Sequence, residues 1–418
     1  MKNPALAASY PILNQLAFYA LLASGAFIIL LWSPNVLGNH VSLLKQDNIF
    51  IFPWLMLWLS YSWKTITDRR HRIEILCMVA IIILGVMNTV WSDSYSSSLP
   101  QMQTFLLTGI LALWASMFLI TDPNRRRVFD WFCCVCLAII VPIELIIRGM
   151  RGAQGPGVFE VFILNPIPLG TLMILLSPGL LRLLLSPHFK VKIGGWLLLS
   201  FWAALLLYTT KRGSLLAVVA ILLGLMFLRG RRLRYLAFTV FLAVGLLVVF
   251  QGRRLVARLD PNIPPQFTIL HRLELYPFAM HIWQQHPVMG IGLRPFTHQK
   301  YLADYKQRIQ KLQDFPKTVT ELQTFDNMMV TGFVELGTII TLLYLVLVIF
   351  IIGRYYRALR ISPDFAIMDW YRLLILLGFA VHSLSYDSLL FPPVNWLFHV
   401  QVGIMAGYQA PRRRPAES

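Results

Sequence analysis

Stretches of about 20 apolar residues recur from one end of this chain to the other, and no other feature constrains its folding as much. A run of that length crosses the hydrocarbon of a bilayer as a helix. Within the hydrocarbon every backbone N–H and C=O must find a partner inside the protein, and the runs are far too long for barrel strands, so the spans are helices. With 57% of its 418 residues hydrophobic and 13% charged, the chain is expected to be an all-α polytopic membrane protein, a single transmembrane domain over 1–418.

Breaking the chain where charge and Gly/Pro clusters interrupt hydropathy predicts about twelve helices. They lie near 13–33, 47–66, 73–91, 101–120, 128–148, 161–185, 194–210, 213–229, 235–251, 326–353, 371–390 and 394–410. Lys2 precedes a long apolar stretch to Trp32 without a small-residue cleavage site, which reads as an uncleaved first helix. Alternate connections are strongly basic: "KTITDRRHR" from Lys64, "TDPNRRR" from Thr121, "HFKVK" from His188, "RGRRLR" from Arg229, "GRYYRALR" from Gly353 and "PRRRP" from Pro411. All six fall on one side, which the positive-inside rule makes cytoplasmic, together with both termini. The excess of 37 Lys and Arg over 19 Asp and Glu is largely explained this way, and no nucleic-acid partner is expected.

That parity depends on "LLLYTTKRGSLLAVVAILLG", Leu205 to Gly224, being two helices. As one helix it would bury Lys211 and Arg212 near the bilayer centre at roughly 2.5–3.5 kcal/mol each, and would export most later arginines. A tight hairpin at Lys211-Arg212 puts both cations at the extracytoplasmic rim. Such a pair either snorkels to lipid headgroups or forms a cationic point at the mouth of the bundle that awaits an anion.

The connection over 252–325 is too long for a bare loop, and parity places it outside. "RLELYPFAMHIWQQHP", from Arg272, reads as a helix lying at the interface; "YLADYKQRIQKLQDF" puts Tyr301, Leu302, Tyr305, Ile309 and Leu312 on one helical face. Together they suggest a lid over the outer membrane surface. Cys77, Cys133, Cys134 and Cys136 all fall in apolar runs, which argues against a disulfide framework. Cys133 and Cys136 share a helix face, where small apolar packing accounts for them without a metal.

No Walker loop, dinucleotide fingerprint, nucleophile elbow or zinc signature is present, and "GIGLRPF", Gly290 to Phe296, resembles a phosphate turn only loosely. Three stretches say more when taken together: "TTKRGSLLAV" from Thr209, "HRLELYPFAMHIWQQHPVMGIGLRPF" from His271, and "FDNMMVTGFVELGTI" from Phe325. In order and spacing they resemble the superfamily of bacterial O-antigen ligases and O-antigen polymerases. "HSLSYDSLLFPP", His382 to Pro393, is similar to that family's next helix end. The resemblance covers about the second half of the chain.

It implies a GT-C-like, metal-independent glycosyltransferase with no cofactor, facing the periplasm from the bacterial inner membrane. The implied donor is a glycan on undecaprenyl diphosphate; the acceptor is a sugar hydroxyl, on lipid A core for a ligase or on a lipid-linked glycan for a polymerase. It makes Arg212 and Arg272 the arginines that hold the diphosphate, a role suited to planar guanidinium forks. Lys211 and Arg294 extend the cationic mouth, with Arg151 a further candidate, and Asn327 and Asp387 join the substrate site. Where the family has His before Asn, this chain has Asp326. A carboxylate there can take a proton from an attacking hydroxyl, or cap the following helix. His298 and His271 are alternative bases. Asp387 either caps its own turn or orients an arginine. Glu144 and Arg148, four apart, read as an ion pair at a helix end, and Glu335 as a partnered structural carboxylate. A reading from another class is a lipid-linked oligosaccharide transporter, for which paired halves with broken helices would be expected.

Overall fold

The computed structural model describes residues 4–31, 69–150, 166–209, 212–227, 238, 269–293, 298–309, 325, 327–362 and 367–408. Two expected helices, 47–66 and, apart from Phe238, 235–251, lie outside them, as do the basic stretches "RGRRLR" and "PRRRP". Among the described residues the secondary structure is helical. Six helices are long and apolar enough to cross a membrane: Pro11–Leu30, Arg72–Val90, Tyr95–Leu119, Pro123–Ile146, Phe189–Leu206 and Met328–Ile361. The described residues thus form the all-helical bundle of a membrane protein, with shorter apolar helices completing it.

In chain order we label α1 (Pro4–Ala26), α2 (Arg72–Val90), α3 (Tyr95–Leu119), α4 (Pro123–Met150), α5 (Pro166–Leu184) and α6 (Phe189–Thr209). There follow α7 (Arg212–Phe227), α8 (Ile269–Gln285), α9 (His298–Ile309), α10 (Met328–Ile361), α11 (Ile367–Ser383) and α12 (Pro392–Ala406). The divided run at Lys211-Arg212 is observed as two helices, α6 ending at Thr209 and α7 beginning at Arg212. The expected helix over 371–390 is instead α11, which stops at Ser383, followed by a short 3₁₀ turn Ser388–Leu390. Within the polar "SLSYDS" segment the Ser385 hydroxyl bonds the His382 carbonyl at 2.8 Å, competing with the helical ladder where α11 gives way.

At the centre stands α12, every residue of which is buried. Its Pro392 and Pro393 open the helix where missing N–H groups cost nothing. Three polar side chains on it are paired inside the bundle. Asn395 Nδ2 donates to Thr108 Oγ1 at 2.6 Å. Gln401 receives Arg372 Nη1 at 2.7 Å and donates to the Leu175 carbonyl at 3.2 Å. His399 Nδ1 meets the Asn395 carbonyl at 2.8 Å; because a carbonyl only accepts, that nitrogen carries the proton, and Nε2 receives the Tyr344 hydroxyl at 3.0 Å. Lipid is as apolar as leucine, so such close packing and interhelical hydrogen bonds, more than water exclusion, hold a membrane bundle together.

The described basic turns gather at one end. There Arg354 of α10 bonds Glu74 of α2 and the Ala406 carbonyl that ends α12, and Arg126 of α4 pairs with Asp369 of α11 at 3.2 Å. Just inside this end Arg372 and Asp130, both buried, form an ion pair between α11 and α4. The opposite end collects the start of α7, the 382–391 turn, the start of α10 and the helices α8 and α9.

Candidate active site

At that second end the first family-like stretch reaches the 382–391 turn, that turn bonds the third stretch, and the second packs on the third. The α7 start is pinned by small residues. A Cβ on Gly213 would lie 2.4 Å from Ser385 Oγ, and one on Gly170 of α5 would lie 2.0 Å from Ser214 Oγ. The backbone of Arg212 is thereby seated beside the end of α11. That turn is itself stiff: His382 Nδ1 lies 3.0 Å from Ser388 Oγ and 3.1 Å from Thr171 Oγ1, and those hydroxyls are 3.1 Å apart. All three residues are fully buried.

Asp387 follows in the same turn and is 1% exposed. It occupies the N-cap position of Ser388–Leu390, yet its carboxylate makes no capping bond. Instead Oδ2 accepts the Thr331 hydroxyl at 2.6 Å, joining this turn to the first turn of α10. Both residues line a cavity of about 60 Å³ otherwise walled mainly by apolar groups, among them Phe105, Met328, Met329, Leu389 and Leu390.

The first turn of α10 is capped by Asn327, whose Oδ1 accepts the N–H groups of Met329 (3.0 Å) and Val330 (3.3 Å). The cap considered for Asp326 therefore belongs to its neighbour, because the helix begins at Met328, one residue further on. Asn327 Nδ2 also reaches the Tyr276 hydroxyl of α8 at 3.4 Å. α8 carries Arg272 on its second turn, and it buries Leu275, Phe278, Ala279 and Ile282 against Tyr301, Leu302 and Tyr305 of α9, Phe325 and Val334. The face expected on α9 is thus partly observed, while the side chain of Ile309 and all of Leu312 lie outside the described residues.

"GIG" is a docking device here. α10 relaxes into a π turn at Gly332–Leu336, which frees carbonyls from the regular ladder. Ile291 N–H donates to the Val334 carbonyl at 3.1 Å and Gly292 N–H to that of Glu335 at 2.9 Å, while Thr338 N–H returns a bond to the Pro287 carbonyl at 3.0 Å. Asn88 of α2 closes the joint, donating to the Met289 and Glu335 carbonyls, the latter at 3.0 Å. Ser92 adds a bond to the Ile291 carbonyl at 3.0 Å. Next to this joint, Tyr301 donates to Asp93 and lies 2.9 Å from His286 Nε2. Burial, then the Asp93 carboxylate, push the Tyr301 phenol well above its ordinary range. Burial also raises that of Tyr305.

Residues 196–345 match the family model described as O-Antigen ligase. This part of the chain is similar to the O-antigen ligases. None of the curated proteins matches the chain. The three stretches that carried the resemblance lie inside the matched O-antigen ligase region; the 382–391 turn lies beyond it and is brought to it by Gly213 and Thr331.

Of the candidate site residues, Lys211, Arg294 and Asp326 lie outside the described residues, as does Arg151. For Arg212, Arg272, His271, His298 and Arg148 only the backbone is described. Asn327 and Asp387 are described in full and stand on either side of Thr331, whose N–H bonds the Asn327 carbonyl at 2.9 Å. Glu144 and Glu335 are buried. Sequence reasoning passed over Thr331, Thr171, Ser388 and Asn88. Their only signal is a small polar side chain at the edge of an apolar run, which is common to many helix ends.

Proposed function

We propose that the protein is an inverting, metal-independent glycosyltransferase acting at the periplasmic face of the bacterial inner membrane. It moves a glycan from undecaprenyl diphosphate to an acceptor sugar hydroxyl, as in O-antigen ligation. The observation that carries this reading is the O-antigen ligase match over 196–345, with the matched stretches converging on one end of the bundle.

In this reading the acceptor oxygen attacks the anomeric carbon from the side opposite the diphosphate. The bond from that carbon to the phosphate oxygen breaks, and the diphosphate leaves with the electron pair. Arg212 and Arg272 stabilise the departing charge by bidentate hydrogen bonds, supported by Lys211 and Arg294. Asp326 takes the acceptor's proton, and Asn327 and Asp387 orient the acceptor. Backside displacement inverts the anomeric configuration.

The test is incubation of the purified protein in detergent with labelled undecaprenyl-diphosphate glycan and each acceptor in turn, with EDTA present. Transfer to lipid A core makes the protein a ligase; transfer to a second lipid-linked repeat makes it a polymerase. Flux across vesicles without bond cleavage would instead identify a transporter and overturn the proposal.

A further inference from the structure

We infer that Thr331 is a positioning residue for the transfer, acting through the carboxylate of Asp387 at the wall of the apolar cavity. The inference rests on the proposed glycosyl transfer and assigns a part in it to a residue with no chemistry of its own.

The backbone that carries Asp387 is already rigid. Ser385 N–H and Oγ both bond the His382 carbonyl, at 2.9 and 2.8 Å. Ser388 Oγ is held by His382 and Thr171, and the Leu390 N–H closes on the Asp387 carbonyl at 3.2 Å. What these contacts leave undetermined is rotation of the carboxylate itself. Around a carboxyl carbon that torsion is soft, with broad wells. One strong donor on one oxygen fixes the plane, and Thr331 Oγ1 at 2.6 Å is such a donor.

Thr331 is equally well placed. It is 4% exposed, its N–H is bonded to the Asn327 carbonyl, and the next residue begins the π turn on which the Gly290–Gly292 segment docks. The Thr331 hydroxyl therefore links the stretch that holds Asp326 and Asn327 to the stretch that holds Asp387. A carboxylate that must present its lone pairs to a sugar hydroxyl in the transition state gains from being oriented beforehand, because no reorganisation is then needed as the bond forms.

Thr331→Val keeps shape and removes the donor; Thr331→Ser keeps the donor and removes a methyl. In the labelled-donor assay Thr331→Val is expected to lower kcat about tenfold with KM for the acceptor within about twofold, the size of one charge-assisted hydrogen bond. Thr331→Ser is expected to recover most of kcat. Should the valine variant fail to fold, Thr331→Ala takes its place against the same serine comparison. Valine or alanine with unchanged kcat, or serine impaired as much as either, overturns the inference while leaving the enzyme reading intact. A wild-type protein that transfers nothing overturns both.

Discussion

Gly290 and Gly337 each occupy the space where a side chain on the other would stand. Both have positive φ, 67° and 81°, and a Cβ built on either lies 2.5 Å from the other's backbone nitrogen. Their contact lets the loop after α8 reach the π turn of α10 backbone to backbone. Gly290→Ala or Gly337→Ala adds a left-handed strain of about 1–2 kcal/mol to a clash with backbone that has nowhere to move. Each is expected to lower the midpoint of thermal unfolding in detergent and to speed proteolysis of the segment that carries α8 and α9. Wild-type midpoints and cleavage rates would show that the joint is dispensable.

Arg372 and Asp130 stand together inside the bundle, 1% and 2% exposed. Removing one member leaves the other charge buried, so Arg372→Met is expected to destabilise by about 3–5 kcal/mol. The double variant Arg372→Met with Asp130→Leu should regain most of that loss. A double-mutant cycle on thermal unfolding measures it; a double variant no better than the single would mean that the pair does more than neutralise itself.

Tyr301 joins α9 to Asp93 and His286, and its phenol stays protonated above the ordinary range. The unfolded phenol ionises near its ordinary value of 10.0. The stability this group contributes is therefore complete below that pH and is lost as pH rises towards the higher folded value. Tyr301→Phe is expected to reduce stability at neutral pH and to flatten the alkaline arm of the stability profile. An alkaline arm as steep as that of the wild type would assign it to other groups.

Arg212 and Arg272 carry the proposed charge stabilisation. Replacement of either by alanine is expected to lower kcat/KM for the lipid-linked donor by about a hundredfold or more. Lysine in their place should recover only a part, since a point charge lacks the bidentate fork. Normal expression with undiminished transfer by either alanine variant would remove the basis of the proposed mechanism.

Much of this arrangement is legible along the chain because membrane insertion reads local sums. Apolar runs mark the spans, the cost of Lys211 and Arg212 in hydrocarbon demands the break between Thr209 and Arg212, and basic turns sort to one end. The family-like stretches that carry Arg212, Arg272 and Asp326 are likewise contiguous words in the sequence. Asn327 as the cap was within reach, one position from the residue first considered; helix ends are set by cap geometry that a hydropathy window averages away.

What only the tertiary structure decided is which of these words touch. No periodicity announces that α12 is buried on every side, that Asn88 serves two carbonyls far along the chain, or that Thr331 meets Asp387. Such contacts join segments distant in sequence, and several are made by backbone carbonyls and hydrogen-bearing glycines that leave no side-chain pattern. Hydropathy places each helix in the membrane by itself, whereas the site exists only where close-packed helices bring their polar edges within hydrogen-bonding distance.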